Sequence, residues 1–178
     1  MTLLVTYLLL TLILSFMCSL LEATLLSSTS SYIESLDKKG YSPKTVDLAK
    51  DVKQNIDKSI SSILTLNTFA NTMGAAGVGA QAAIIFGSNW QAVIAFILTL
   101  MVLFISEIFP KTVGAIYWRK FIVPAVYIIS FMVKITYPFI FLATFITNAL
   151  QKGRKNEANF SKDEIITIVN MSEKEGVL

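Results

Sequence analysis

The chain has 178 residues, of which 54% are hydrophobic and 15% charged, and its mean hydropathy is +0.63. That is far more apolar than a soluble domain, and it implies an integral membrane protein in contact with a lipid bilayer. With 15 basic and 12 acidic residues, no histidine and a single Cys18 inside an apolar run, the chain excludes a basic stripe for nucleic acid, disulfides, thiolate zinc sites and histidine-based triads.

Residues 2–26 form a nearly unbroken apolar run, long enough to cross a bilayer as a helix. No Lys or Arg precedes Lys38, so the run lacks the basic region of a secretory signal and is read as a retained first span. Positive charge appears only after it, at Lys38, Lys39, Lys44 and Lys50. The positive-inside rule therefore places the N-terminus outside and this segment in the cytoplasm.

Residues 28–63 turn polar but keep a helical pattern. Ser42 can cap and Pro43 can take the first helical position, after which Val46, Ala49, Val52, Ile56, Ile60 and Ile63 mark one face. Ser28 to Leu36 supplies a shorter partner, and the pair reads as a cytoplasmic helical hairpin lying against the membrane. Residues 64–86 form a second span rich in Gly and Ala; small residues let helix backbones approach closely, which suits a bundle centre or a dimer interface.

After Gly87-Ser88-Asn89, a third span is expected over residues 90–109, with Trp90 at interface depth. It ends on Ser106-Glu107-Ile108-Phe109-Pro110-Lys111. A carboxylate near hydrocarbon is costly unless it is protonated, paired, or facing a cation or a wet cavity. Two readings stand for Glu107: an i, i+4 pair with Lys111, or a functional site. Pro110 is expected to end the helix, so that backbone carbonyls up to Gly114 can face an ion.

Residues 121–150 are apolar but interrupted by Pro124, Lys134 and Pro138, with basic residues at both ends. Both ends should then be cytoplasmic, which predicts a kinked re-entrant or belt-like segment. Residues 1–155 make up the transmembrane domain. Ser161-Lys162-Asp163-Glu164 is a capping box, so residues 156–178 read as the start of a linker to a cytosolic module.

Polar residues inside the spans fall at similar depth. With a helical rise of about 1.5 Å per residue, Ser19 and Glu107 each lie roughly 25 Å from the outer end of their helices. Asn71, entering from the inner side, lies roughly 10 Å deep. A carboxylate, an amide oxygen and a hydroxyl are hard ligands suited to magnesium or calcium. Each residue also has an ordinary use: Ser19 can bond back to the carbonyl of Ser15, Asn71 can make an interhelical hydrogen bond, and Glu22 can pair with a lysine of the hairpin. Every aspartate lies in a polar segment, leaving no acid–base or nucleophilic pair, so an enzyme is not expected.

Three motifs, Ser19-Leu20-Leu21-Glu22-Ala23, Leu66-Asn67-Thr68-Phe69-Ala70-Asn71 and Glu107-Ile108-Phe109-Pro110-Lys111, resemble those of the CNNM/CorC magnesium transporter family. Leu20, Leu21 and Ala23 replace the small pair and the threonine usual in the first motif. The resemblance implies an all-α domain of three spans with a juxtamembrane hairpin, assembled as a homodimer in the plasma or inner membrane. It implies a largely dehydrated Mg2+ held by Ser19, Asn71 and Glu107, with Glu22, Asn67 and Gly114 as lesser ligand or gating candidates and Pro110 and Lys111 as structural motif residues. It further implies Mg2+ efflux, coupling to Na+, and a following nucleotide-binding cytosolic module. The competing expectation is a non-transporting membrane anchor and dimerisation module for a cytosolic regulatory or magnesium-sensing domain.

Overall fold

Residues 1–151 are described by the computed structural model, and residues 1–140 pack as one compact unit. The linker expected over 156–178, with its capping box, lies outside the described residues. All elements among the described residues are helical, and three stretches, Thr2–Ser27, Ile56–Phe86 and Ser88–Phe139, are long and apolar enough to cross a membrane. The fold is all-α with three candidate spans.

Helix α1 (Thr2–Ser27) changes character along its length. Its first half exposes Leu3, Val5, Leu9, Leu10, Ile13 and Leu14, as expected of a surface meeting hydrocarbon. Further along, Thr11, Ser15, Cys18 and Ser19 turn one face into the protein, and near the end Leu21, Ala23, Thr24 and Leu25 are buried as well. The helix stops where Ser28 becomes extended. There the ammonium of Lys53 donates to the carbonyls of Leu25 (3.2 Å) and Ser28 (2.6 Å), and the Ser28 hydroxyl also donates to the Leu25 carbonyl (2.7 Å), so a cation and a hydroxyl cap carbonyls that have no backbone donor at the helix end.

The polar segment folds through local signals. Thr29 caps α2 (Ser30–Glu34) by accepting from the Tyr32 amide, and Gly40, at φ +79°, closes a 3-10 turn over Asp37–Lys39. Ser42 caps α3 (Pro43–Gln54) by accepting from the Thr45 amide, and Pro43 opens the helix with its fixed φ and missing N–H. The break then comes at Asn55, whose φ of −98° and ψ of 45° leave the helical region. Residues 56–63, read from sequence as the hairpin's end, instead begin α4 (Ile56–Phe86). No Gly or Pro interrupts the chain there, so the helix runs on into the apolar stretch.

Helix α4 lies close against α1. A Cβ at Gly74 would collide with the side chain of Thr11, and one at Gly77 would sit 2.7 Å from the Tyr7 ring. The glycines permit this approach, the packing role that small residues serve between membrane helices. Gly87, at φ +86°, turns the chain into α5 (Ser88–Met101).

A π-helical turn follows over Val102–Ile108, and then α6 (Phe109–Gln151). The helix therefore passes through Pro110 and does not end there. Proline has no N–H and its ring presses on the carbonyl four residues back, here Ser106. The wider π turn immediately ahead relieves that conflict. Helix α6 leaves ideal geometry at Tyr117 (φ −105°, ψ 20°) and contains Pro124 and Pro138.

The segment expected as re-entrant or belt-like is thus helical as far as Gln151. Its Ile122, Ala125, Val126, Ile129 and Met132 are buried at helical spacing and share one apolar core with Leu25 of α1, Ile33 of α2, Leu36 just after it, Val46, Ala49 and Val52 of α3, and Ile63 of α4. The hairpin is consequently welded to the C-terminal end of α1, the N-terminal part of α4 and the middle of α6. Tyr127 adds a hydrogen bond to Thr45 at 2.7 Å.

Candidate metal site

Two contacts set how α4 stands against α1: Gly74 faces Thr11 and Gly77 faces Tyr7. The helices therefore run antiparallel, and Asn71, three residues before Gly74, is level with about Leu14 or Ser15. Asn67 falls one turn further on, level with about Ser19. The π turn runs parallel to α1, because the Ser106 hydroxyl donates to the Leu12 carbonyl (3.1 Å) while Gly114 abuts the Leu20 carbonyl. Glu107 thus stands near the level of Asn71 and Ser15.

Asn71 and Glu107 line one cavity of about 300 Å3 between α4, α5 and the π turn, together with Leu98, Thr99, Val102 and Leu103. Ser19 is fully buried on α1 and does not line that cavity. Asn67 and Ser19 form the neighbouring level. Gly114 packs tightly on α1: a Cβ there would lie 2.7 Å from the Leu20 carbonyl oxygen and 3.2 Å from Thr24 Oγ1. Pro110 is buried.

The ion pairing departs from both ordinary readings of the sequence. Lys111 Nζ lies 3.1 Å from Glu22 Oε2, so Glu22 pairs with the start of α6 and not with a hairpin lysine. Lys111 in turn is taken by Glu22, and among the described residues Glu107 has no ion pair. The carboxylate is half-buried, a setting in which a cation lowers its energy.

Along α1 and α4 lie buried oxygens with no protein partner among the described residues: Ser15 Oγ, Ser19 Oγ, Thr24 Oγ1, Asn67 Oδ1 and Asn71 Oδ1. Other hydroxyls in these helices behave differently. Thr11, Ser62, Thr65, Thr99 and Thr112 each donate to the carbonyl four residues back at 2.7 to 2.9 Å, the usual way a helical hydroxyl is satisfied. Ser19 does not bond back to Ser15, and the Asn71 oxygen makes no interhelical hydrogen bond. Buried acceptors left unpaired cost roughly 1–3 kcal/mol each, so these five call for water or a cation.

No group of three His, Cys, Asp or Glu side chains occurs among the described residues. The donor set is one carboxylate with neutral hydroxyl and amide oxygens, a hard set suited to Mg2+ or Ca2+. Ser15 adds a buried, unpartnered hydroxyl that sequence reasoning did not offer as a ligand, while Thr24, a substitute for the hydroxyl missing at Ala23, is likewise unpartnered beside Gly114. The signal for Ser15 was its i, i+4 spacing from Ser19, which puts both hydroxyls on one face of α1.

A model of the Cyclin M transmembrane N-terminal domain, CNNM, matches residues 5–178. The chain belongs to the CNNM family. This CNNM domain is 28% identical over 161 residues to the UPF0053 protein sll1254 of Synechocystis, covering 90% of this chain and 46% of that protein. It is 29% identical over 154 residues to a UPF0053 protein of Haemophilus influenzae, covering 84% of this chain and 36% of that one. The UPF0053 inner membrane protein YfjD of Escherichia coli is 29% identical over 122 residues, 65% of this chain and 28% of its own length. The chain spans less than half the length of these curated relatives. Family membership and the three apolar helices make it a multi-pass membrane protein.

Proposed function

We propose that this CNNM domain transports magnesium, holding a largely dehydrated Mg2+ among its three membrane-spanning helices. The observation that carries the reading is the cavity shared by Asn71 and Glu107, in which a carboxylate with no ion pair among the described residues stands beside the unpartnered Asn71 oxygen. One acid with neutral donors leaves the bound dication with net positive charge. That favours binding weak enough to release, which transport needs. Ser15 and Ser19 then act on successive levels, the first nearest Asn71 and Glu107, the second beside Asn67.

The family resemblance extends this reading to Mg2+ export, to Na+ as the coupling ion, to a homodimer, and to a cytosolic nucleotide-binding module in the full-length protein. With Lys38, Lys39, Lys44 and Lys50 between the first two spans, the N-terminus lies outside and the hairpin in the cytoplasm.

The test is Mg2+-dependent thermal stabilisation and liposome flux, with gradients imposed in each direction. A ligand at a hundredfold its dissociation constant stabilises the native state by about 2.7 kcal/mol. Glu107→Gln and Asn71→Ala should lose most of that gain and the flux; if both variants bind and transport like the parent, the site is wrong. A parent that shows neither stabilisation nor flux supports the membrane-anchor reading instead.

A further inference from the structure

Where α2 meets α6, several cations gather around an aromatic pair that the metal site does not use. Tyr32 and Trp118 meet edge to face at 4.9 Å between centroids, and the Tyr32 hydroxyl donates to the Arg119 carbonyl at 3.4 Å. Lys39 Nζ stands 3.5 Å from the centroid of the Tyr32 ring, and the Arg119 guanidinium lies 5.8 Å from the same ring and 5.3 Å from that of Trp118. Lys120 caps the adjacent Tyr117 ring at 5.6 Å. Lys39 and Arg119 therefore share one ring. Like charges repel, yet none of these cations forms an ion pair among the described residues, although Glu34 and Asp37 lie on the same segment.

The patch also sits at a boundary. On one side α6 exposes Phe109, Ile116 and Tyr117, and on the other lies the polar hairpin with Lys38 and Lys39. Tyr and Trp favour the headgroup layer, where one end of the ring is apolar and the other wet. An anion placed between Lys39 and Arg119 would have apolar protein surface beside it, which suits a headgroup that carries acyl chains.

We propose that Tyr32, Lys39, Trp118 and Arg119 form a binding site for the phosphate of an anionic phospholipid headgroup. The lipid supplies the negative charge that the described residues do not pair with these cations, and it ties α2 to α6 at the membrane surface. The inference is independent of the magnesium reading.

The test uses the full chain with Trp90→Phe, which leaves Trp118 as the only tryptophan of the two in the sequence. Its fluorescence is measured in vesicles carrying bromine-labelled phosphatidylglycerol or the same fraction of bromine-labelled phosphatidylcholine. Stronger quenching by phosphatidylglycerol is expected, and equal quenching by the two lipids overturns the site. Adding Lys39→Gln and Arg119→Gln should bring the two lipids to equality. Lys44→Gln with Lys134→Gln removes the same charge elsewhere and should keep the preference; if it loses the preference equally, general surface charge is responsible and the site is refuted. Inorganic phosphate at matched ionic strength should leave the preference intact, and its abolition would assign the site to soluble phosphate.

Discussion

Ser15 and Ser19 show how a side chain's missing bond can say more than its presence. Both are fully buried, yet neither hydroxyl finds a partner, while threonines on the same and neighbouring helices bond to their own backbone. Replacing either by alanine removes an unsatisfied group, so metal-free stability should stay level or rise by up to about 1 kcal/mol. The Mg2+-dependent gain in melting temperature should fall. A drop in metal-free stability with the gain untouched would make both serines structural. The Glu22–Lys111 pair carries a second expectation. With Glu22 neutralised as Glu22→Gln, Lys111 is released four residues from Glu107, within i, i+4 reach. It then competes with the cation, and Mg2+ stabilisation should weaken about tenfold in apparent affinity, equivalent to about 1.4 kcal/mol. Glu22→Gln with Lys111→Met should restore it.

Helix α3 is bound to the end of α1 through Lys53. Burial holds its ammonium below the usual lysine value of 10.5, while the carbonyls of Leu25 and Ser28 at the helix end limit that fall by favouring the charged form. Between the lowered value and 10.5 the unfolded chain binds more protons than the folded one. Stability should therefore rise with pH through that window. Lys53→Met should flatten the rise, as read from melting temperatures of parent and variant at matched pH; parallel pH profiles would exclude Lys53 as its source. The π turn is the other element whose form follows from one residue. Pro110 makes the α register costly at Ser106, and the widened turn that results includes Glu107 and contributes Val102 and Leu103 to the cavity wall.

The molecule as a whole is two packing regimes in one chain. Toward the N-terminus of α1, contact with α4 is made through Gly74 and Gly77 and the outer surfaces are lipid-like. At the hairpin end, an apolar core draws in every major helix except α5. The proposed orientation is testable on the intact protein. Cys18 is buried, so its reaction with an impermeant thiol reagent should be slight. A Lys38→Cys variant should label only when the cytoplasmic side is open, and Thr2→Cys from outside; the reverse pattern would invert the topology.

Much of this fold was legible in the sequence because its signals are local. The span at residues 2–26 follows from run length against bilayer thickness, and the Ser42-Pro43 start of α3 from the chemistry of a helix cap. Asn71 and Glu107 could be singled out because polar groups are costly at such depth. The tertiary structure decided which partners they meet. Spacing allowed Lys111 to reach Glu107, but the packing of α6 on α1 gave it to Glu22. Depth alone grouped Ser19 with Asn71, whereas the close approach at Gly74 and Gly77 makes Ser15 the nearer level. Helical rise orders residues along one axis, while rotation and register between helices arise only from side chains meeting across them.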